Sequence, residues 1–208
     1  MYRCALESLG VQRPRGGDPG QERAMGRVLK AAMGAVLVTS FLPSLSEAQR
    51  RGPYDAAVEA YYRTVGQAFS VSLEEVRILG EWQLPPEEIT VVLFVARRAG
   101  VSPDAIAIQR DAGAPWTTIT QRYGVGAGVF RISFPPGTSL GPLEEVYRSF
   151  TETPRASWDT LLIDDRVLVA LVNIRILSNQ LGVPAAEVLA AWERTANLVL
   201  AHEQLTSS

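Results

Sequence analysis

The sequence predicts an all-α fold, a small bundle of stacked helical hairpins around two long buried helices at about 87–99 and 164–181. Three observations predict it. Val91 to Ala96 is an unbroken apolar run behind an acidic start at Glu87 and Glu88, and a longer apolar stretch follows Asp164 and Asp165. A helix that is apolar all round is buried on most sides. Each run also ends in a stop followed by a new helix start, Gly100-Val101-Ser102-Pro103 and Gly182-Val183-Pro184. Finally, a single segment, 129–134 (VFRISF), alternates with period two. It has no partner strand, so it reads as an ordered loop.

The chain has 208 residues, enough for one domain plus extras. The extras lie at the front. Met25 to Lys30 is a short positive segment, Ala31 to Leu42 (AAMGAVLVTSFL) is uncharged and apolar, and Pro43 breaks it. Ser46 and Ala48 then place small side chains three before and one before a cut between Ala48 and Gln49. This is the layout of a secretory signal peptide over 25–48. The apolar run is well short of the ~20 residues that span a bilayer. Residues 1–24 are polar and rich in Gly, Pro and Arg, and read as a mis-called upstream extension, with translation starting at Met25, or as a disordered tail.

Residues 49–208 are then one helical domain, with halves at about 54–125 and 141–205 and a linker over 126–140. This part holds 14 Arg, no Lys and 18 Asp plus Glu, a net charge of about −4. Such a balance does not favour nucleic acid as a partner. The one cysteine, Cys4, falls outside it, which leaves no disulfide, thiol nucleophile or thiolate metal site. About 160 residues bury an adequate core without staples.

In chain order, Tyr54 to Phe69 is the first helix, with Val58, Tyr61, Tyr62, Val65 and Phe69 at helical spacing. Ser72 and Glu75 form a capping box for the second, whose buried face is Val76 and Leu79. After a connection containing Trp82 comes the first axis, stopped by Gly100 in a left-handed cap. Ser102 caps the next helix and Pro103 sits in its first turn, where the missing N–H costs nothing. That helix runs to about Ala112, and Trp116 to Tyr123 is another. Gly124 to Gly128 reads as a flexible link. Leu143 to Phe150 is a helix, and Ser157 is an N-cap before Trp158. The second axis buries Val167, Leu171, Ile174 and Leu177 deepest, and a last helix from Pro184 to about Leu205 bends near Thr195.

Val71-Ser72-Leu73-Glu74-Glu75-Val76-Arg77-Ile78 is echoed by Val101-Ser102-Pro103-Asp104-Ala105-Ile106-Ala107-Ile108 thirty residues later. At the same offset Pro85 matches Pro115 and Ile89-Thr90 matches Ile119-Thr120. Units of this kind cannot bury their own apolar face and must stack.

Val95 to Ile106, with an alanine four residues before the turn glycine and an aliphatic six after it, resembles the helix-turn-helix of bacterial DNA-binding proteins. Ser178, Gly182 and Val188 repeat that spacing. The order aliphatic run, Ala-Arg, Gly-Val-Ser-Pro, Trp-x-x-Ile and Tyr-Gly-Val, from Val91 to Val125, also resembles a set of exported bacterial all-helical proteins. The second resemblance covers about a third of residues 49–208 and implies an exported location but no known activity.

Candidate chemistry is sparse. The acidic pairs Glu74-Glu75, Glu87-Glu88, Glu144-Glu145 and Asp164-Asp165 each fall in the first turn of an expected helix. There they meet the helix dipole, worth about 0.3–1 kcal/mol apiece. Neighbours on a helix point about 100° apart, so one pair does not converge on an ion. His202, the one histidine, is expected on the surface of the last helix, and imidazole metal ligation within one chain would need a second. Gly124-Val125-Gly126-Ala127-Gly128 lacks the strand and Lys-Ser/Thr of a phosphate loop. No catalytic residue, metal or cofactor is expected. Trp82, Trp116, Trp158 and Trp192 are candidate interaction anchors, with packing at the core or its rim the favoured alternative.

The sequence therefore favours an exported, non-catalytic helical protein, an interaction or structural module of the cell envelope. Its partner is expected to be another envelope protein or a second copy, without a permanent membrane span in residues 49–208. A cytoplasmic helix-turn-helix regulator is the first alternative, armed for base reading by Gln109 and Arg110 alone in its second helix. A carboxylate-dependent hydrolase is the second, requiring two carboxyls about 5–9.5 Å apart in one cleft.

Overall fold

A computed structural model describes residues 53–207. The extension over 1–24, the signal peptide over 25–48 and its cut between Ala48 and Gln49 lie outside the described residues. Nine α-helices are present among them: α1 (Pro53–Phe69), α2 (Leu73–Gly80), α3 (Pro86–Ala99), α4 (Pro103–Asp111), α5 (Trp116–Arg122), α6 (Glu144–Glu152), α7 (Asp165–Leu181), α8 (Ala185–Thr195) and α9 (Leu198–Thr206). Short 3₁₀ turns occupy Ala127–Phe130, Gly141–Leu143 and Arg155–Thr160, and the described residues contain no strand. The all-α bundle stands.

The two axes are the apolar runs. In α3 every residue from Ile89 to Ala96 is buried. In α7 the buried residues are Leu168, Ala170 to Ile174 and Leu177. The two helices pack on each other, with α1 and α9 against both; α2 and α4 cover α3, and α5 and α8 cover α7. Each fully buried Leu or Ile removed from water contributes about 1.5–3 kcal/mol. The deepest line of α7 runs through Leu168, not Val167, which is half-exposed. The apolar residues surround α7, so periodicity alone did not fix its most buried edge.

One stop signal recurs. Ser70, Gly100, Gly124 and Gly182 adopt left-handed φ of 54°, 68°, 66° and 68°. Each is followed by a valine, and the amides of Val71, Val101 and Val125 donate back to the carbonyls of Gly66 (3.0 Å), Ala96 (3.1 Å) and Thr120 (2.8 Å). That bond closes a Schellman turn and satisfies a carbonyl the helix end would leave bare. At the fourth stop the Ser178 hydroxyl donates to the Val183 carbonyl (2.6 Å). The thirty-residue echo occupies equivalent positions: Val76 and Ile106 are both fully buried, as are Ile89 and Ile119. Pro85 and Pro115 both stand at the N-cap, of α3 and α5.

The Ser72 and Glu75 capping box forms in full, Glu75 N to Ser72 Oγ at 3.1 Å and Ser72 N to Glu75 Oε2 at 2.7 Å. Ser102 has the N-cap backbone but no side-chain bond, because the Ala105 amide turns to the Ser102 carbonyl instead (3.1 Å). Ser157 lies inside the 3₁₀ turn Arg155–Thr160, with its amide on the Pro154 carbonyl (2.8 Å), and does not cap. The last helix is two helices. Ala196 at φ 53° ends α8, and Asn197 caps α9 by accepting from Leu200 N at 2.9 Å.

The segment over 126–140 is packed in its first part and exposed around Pro135 to Gly137. Val125, Ala127 and Phe130 are buried. Gly126 admits Asp159 so closely that a Cβ there would stand 2.3 Å from the Asp159 Cγ. The extended stretch after it is pinned by Tyr147, whose hydroxyl donates to the Ile132 carbonyl (2.6 Å) and accepts from its amide (3.0 Å).

Candidate functional site

Two helix starts meet at a cleft. The Pro85-Pro86 step fixes the entry into α3, and Glu87 and Glu88 follow in its first turn. Asp164 caps α7 through its Oδ1, which accepts from Arg166 N (2.9 Å), and Asp165 follows. Acidic side chains collect here because both helix dipoles present their positive ends. Arg110 reaches in from the last turn of α4. It grips Glu88 with two bonds, Nε to Oε2 at 2.6 Å and Nη2 to Oε1 at 2.7 Å, and donates Nη1 to Asp165 Oδ2 at 2.8 Å. Nη1 also reaches the Ala114 carbonyl at 3.1 Å. Its guanidinium lies over the Trp116 ring, 5.3 Å from the centroid, while the Trp116 amide donates to Asp165 Oδ1 at 2.9 Å. The hydrogen bonds that Arg110 donates to Glu88 raise its pKa still further, against burial.

The open space beside this cluster is about 340 Å³, lined among others by Glu87, Glu88, Arg110, Asp165, Arg166 and Trp192. Arg166 stacks over Trp192 at 5.6 Å and forms one wall. Beneath the floor lies a buried polar network. Tyr61 hydrogen-bonds Thr90 Oγ1 (2.5 Å) and donates to Asn173 Oδ1. Asn173 Nδ2 donates to the carbonyls of Glu87 (3.0 Å) and Val169 (2.9 Å). Burial pushes the Tyr61 pKa up, so this phenol stays a donor. The network ties α1, α3 and α7 together under the acidic rim.

No family model, curated protein or solved structure matches this chain.

The cleft revises the view of the acidic pairs. Within a pair the side chains diverge, but one member from each of two pairs, Glu88 and Asp165, meets on a single arginine. Both oxygens of Glu88 and one of Asp165 are thereby engaged by the guanidinium, and the other Asp165 oxygen by the Trp116 amide. No group of three or more His, Cys, Asp or Glu able to hold a metal occurs among the described residues.

The tryptophans divide. Trp116 and Trp192 are 0% and 3% exposed, so as docking anchors they are corrected: both sit in the core, recruited by α5 and α8. Trp82 and Trp158 are half-buried at the surface. His202 is also corrected. It is 2% exposed, because the inner face of α9 is Leu198, Val199, Ala201 and His202, packed on α1. Its Nε2 lies 2.9 Å from Thr64 Oγ1, its ring meets Tyr61 edge-on, and burial lowers its pKa.

The residues that a DNA reader would use are engaged within the fold. Gln109 Nε2 donates to the Ala105 carbonyl (3.0 Å) and to Tyr123 Oη (2.6 Å), and its Oε1 accepts from Arg122 (2.6 Å). Arg97 donates to the Phe69 carbonyl at the end of α1 and stacks over that ring at 4.9 Å. Sequence reasoning missed Asn173 and Arg175, polar residues inside the apolar α7 whose position was the available signal. Arg175 donates to the carbonyls of Val129 (2.7 Å) and Arg131 (2.8 Å) and holds the packed segment against α7.

Proposed function

We propose that this chain is an exported, non-catalytic helical protein that serves as an interaction or structural module of the cell envelope. Its partner is another envelope protein or a second copy. One observation carries the non-catalytic part: Arg110 clamps Glu88 and Asp165 in the acidic cleft, so neither carboxyl is free to act as acid, base or nucleophile. Within this cleft a hydrolase would be left with Glu87 as the one lining carboxyl that Arg110 does not hold. The engagement of Gln109 and Arg110 inside the fold weighs against the DNA-reading alternative. Export rests on the segment over 25–48, with its positive start, apolar run and small residues before the cut. No helix among the described residues is long and apolar enough to cross a membrane. The test is the N-terminal residue of native protein together with its cell fraction. Protein beginning at Gln49 outside the cytoplasm supports the reading; a full leader on protein in the soluble cytoplasmic fraction overturns it.

A further inference from the structure

On the face formed by the end of α3, the middle of α7 and the packed segment after α5, four arginines and their aromatic neighbours form a continuous chain of contacts. Arg98 and Arg175 both stack on Phe94, at 5.4 Å and 5.6 Å. Arg175 holds the Arg131 carbonyl, and the Arg131 side chain lies over Trp158 at 5.1 Å. Arg155 lies over the same indole at 5.5 Å. None of the four takes part in an ion pair among the described residues; the ion pairs formed there belong to Arg77, Arg110 and Arg148. Asp159, the acid closest to Trp158 in sequence, lies against Gly126 and Gly128. The Arg131 Nε is buried without a hydrogen-bond partner. The pKa of Arg175 is lowered, first by burial and then by repulsion from Arg98. Positive charge has been gathered here at a cost, in a chain of net charge −2.

We infer that this arginine and aromatic face docks an acidic peptide segment of a partner protein, with a carboxylate seated on the exposed guanidinium of Arg155. The inference rests on the reading of the chain as an interaction module and names its partner's chemistry. A guanidinium held over a ring and free of any ion pair still offers its N–H fork, and that fork matches a carboxylate with two bonds. Stacking also fixes the arginine before binding, so less side-chain entropy is lost on contact. Single-stranded nucleic acid fits less well, because it needs open aromatic faces on which bases stack. Here Trp158 carries two arginines, and Phe150 and Tyr147 meet their neighbours edge to face.

The test is fluorescence polarisation of the full chain with a labelled peptide of about ten residues alternating glutamate with leucine, and with its glutamine counterpart. The glutamate peptide binds at least about tenfold more tightly, and the advantage shrinks as salt rises. Arg155→Gln lowers its affinity about tenfold; this side chain is exposed, lies over Trp158 and takes part in no ion pair among the described residues, so the fold survives the change. Arg155→Lys, which keeps the charge but not the fork, falls between. Equal binding of the two peptides, no binding, or an unchanged affinity in Arg155→Gln overturns the inference. So does a self-association that Arg155→Gln abolishes, since a second copy would then occupy the face. Peptide binding does not depend on cellular location. Export without peptide binding therefore removes this inference alone, and peptide binding by a cytosolic protein removes the export reading alone.

Discussion

Arg110→Met tests whether the cleft is a charged lock or a solvated rim. The side chains of Arg110, Glu88 and Asp165 are 19%, 12% and 30% exposed. Exposed ion pairs contribute about 0–1 kcal/mol. Breaking a buried pair by removing one partner costs about 3–5 kcal/mol, because the other charge is stranded. Glu88 lies near the buried limit and Asp165 further out, so the loss expected is about 2–3 kcal/mol. That includes the lost contact with Trp116, worth about 0.5–1 kcal/mol at a half-open site. For a domain of this size it lowers Tm by about 4–12 °C. Urea unfolding followed by tryptophan fluorescence measures it, and Trp116 places a reporter beside the change. Glu88→Gln combined with Arg110→Met completes a double-mutant cycle, with a coupling of about 1–2 kcal/mol between the partners. A loss below about 1 kcal/mol and a coupling near zero would refute the reasoning, and would free Glu88 and Asp165 for the chemistry denied to them above.

Burial lowers the His202 pKa, so below about 6.5 the unfolded chain takes up a proton that the folded chain resists. Stability is therefore full above that pH and is lost as pH falls from it toward the folded value. Denaturation midpoints at about pH 7.5 and 5.5 show this loss, and His202→Gln has a shallower slope between them. Gly126→Ala forces a Cβ to within 2.3 Å of Asp159 Cγ and 2.5 Å of its Cβ, so the main chain must shift as well as the carboxylate. It costs about 1–3 kcal/mol in thermal or urea unfolding, most of it recovered by adding Asp159→Gly. Failure of that rescue would mean the strain lies elsewhere.

The fold was legible where local chemistry decides it. Ser72 and Glu75, the glycines at 100 and 182, and the apolar run in α3 each carry their instruction within a few residues. The break at Ala196 was blurred into a bend, since alanine gives no hint of a left-handed φ and only Asn197 marked the new start. The site was far less legible. Glu88, Arg110 and Asp165 come from three helices, and Tyr61 and Asn173 stand 112 residues apart. Nothing in a linear pattern tells an acidic helix start that it will face another one. His202 stands next to Glu203, and on one unbroken helix from Pro184 that position falls on the surface; the break at Ala196 re-aims α9 and turns His202 to α1.

Asn173 also governs how the two greasy rods line up. Aliphatic side chains tolerate sliding, because one leucine fills a hollow about as well as the next. A shift of α7 by one turn, about 5.4 Å, would bring an apolar neighbour such as Val169 or Leu177 to the place of the amide. The Tyr61 hydroxyl and the Glu87 carbonyl would then face hydrocarbon. A single carboxamide thus acts as a key between otherwise interchangeable surfaces, and the acidic rim above it keeps its shape because the rods beneath have one setting.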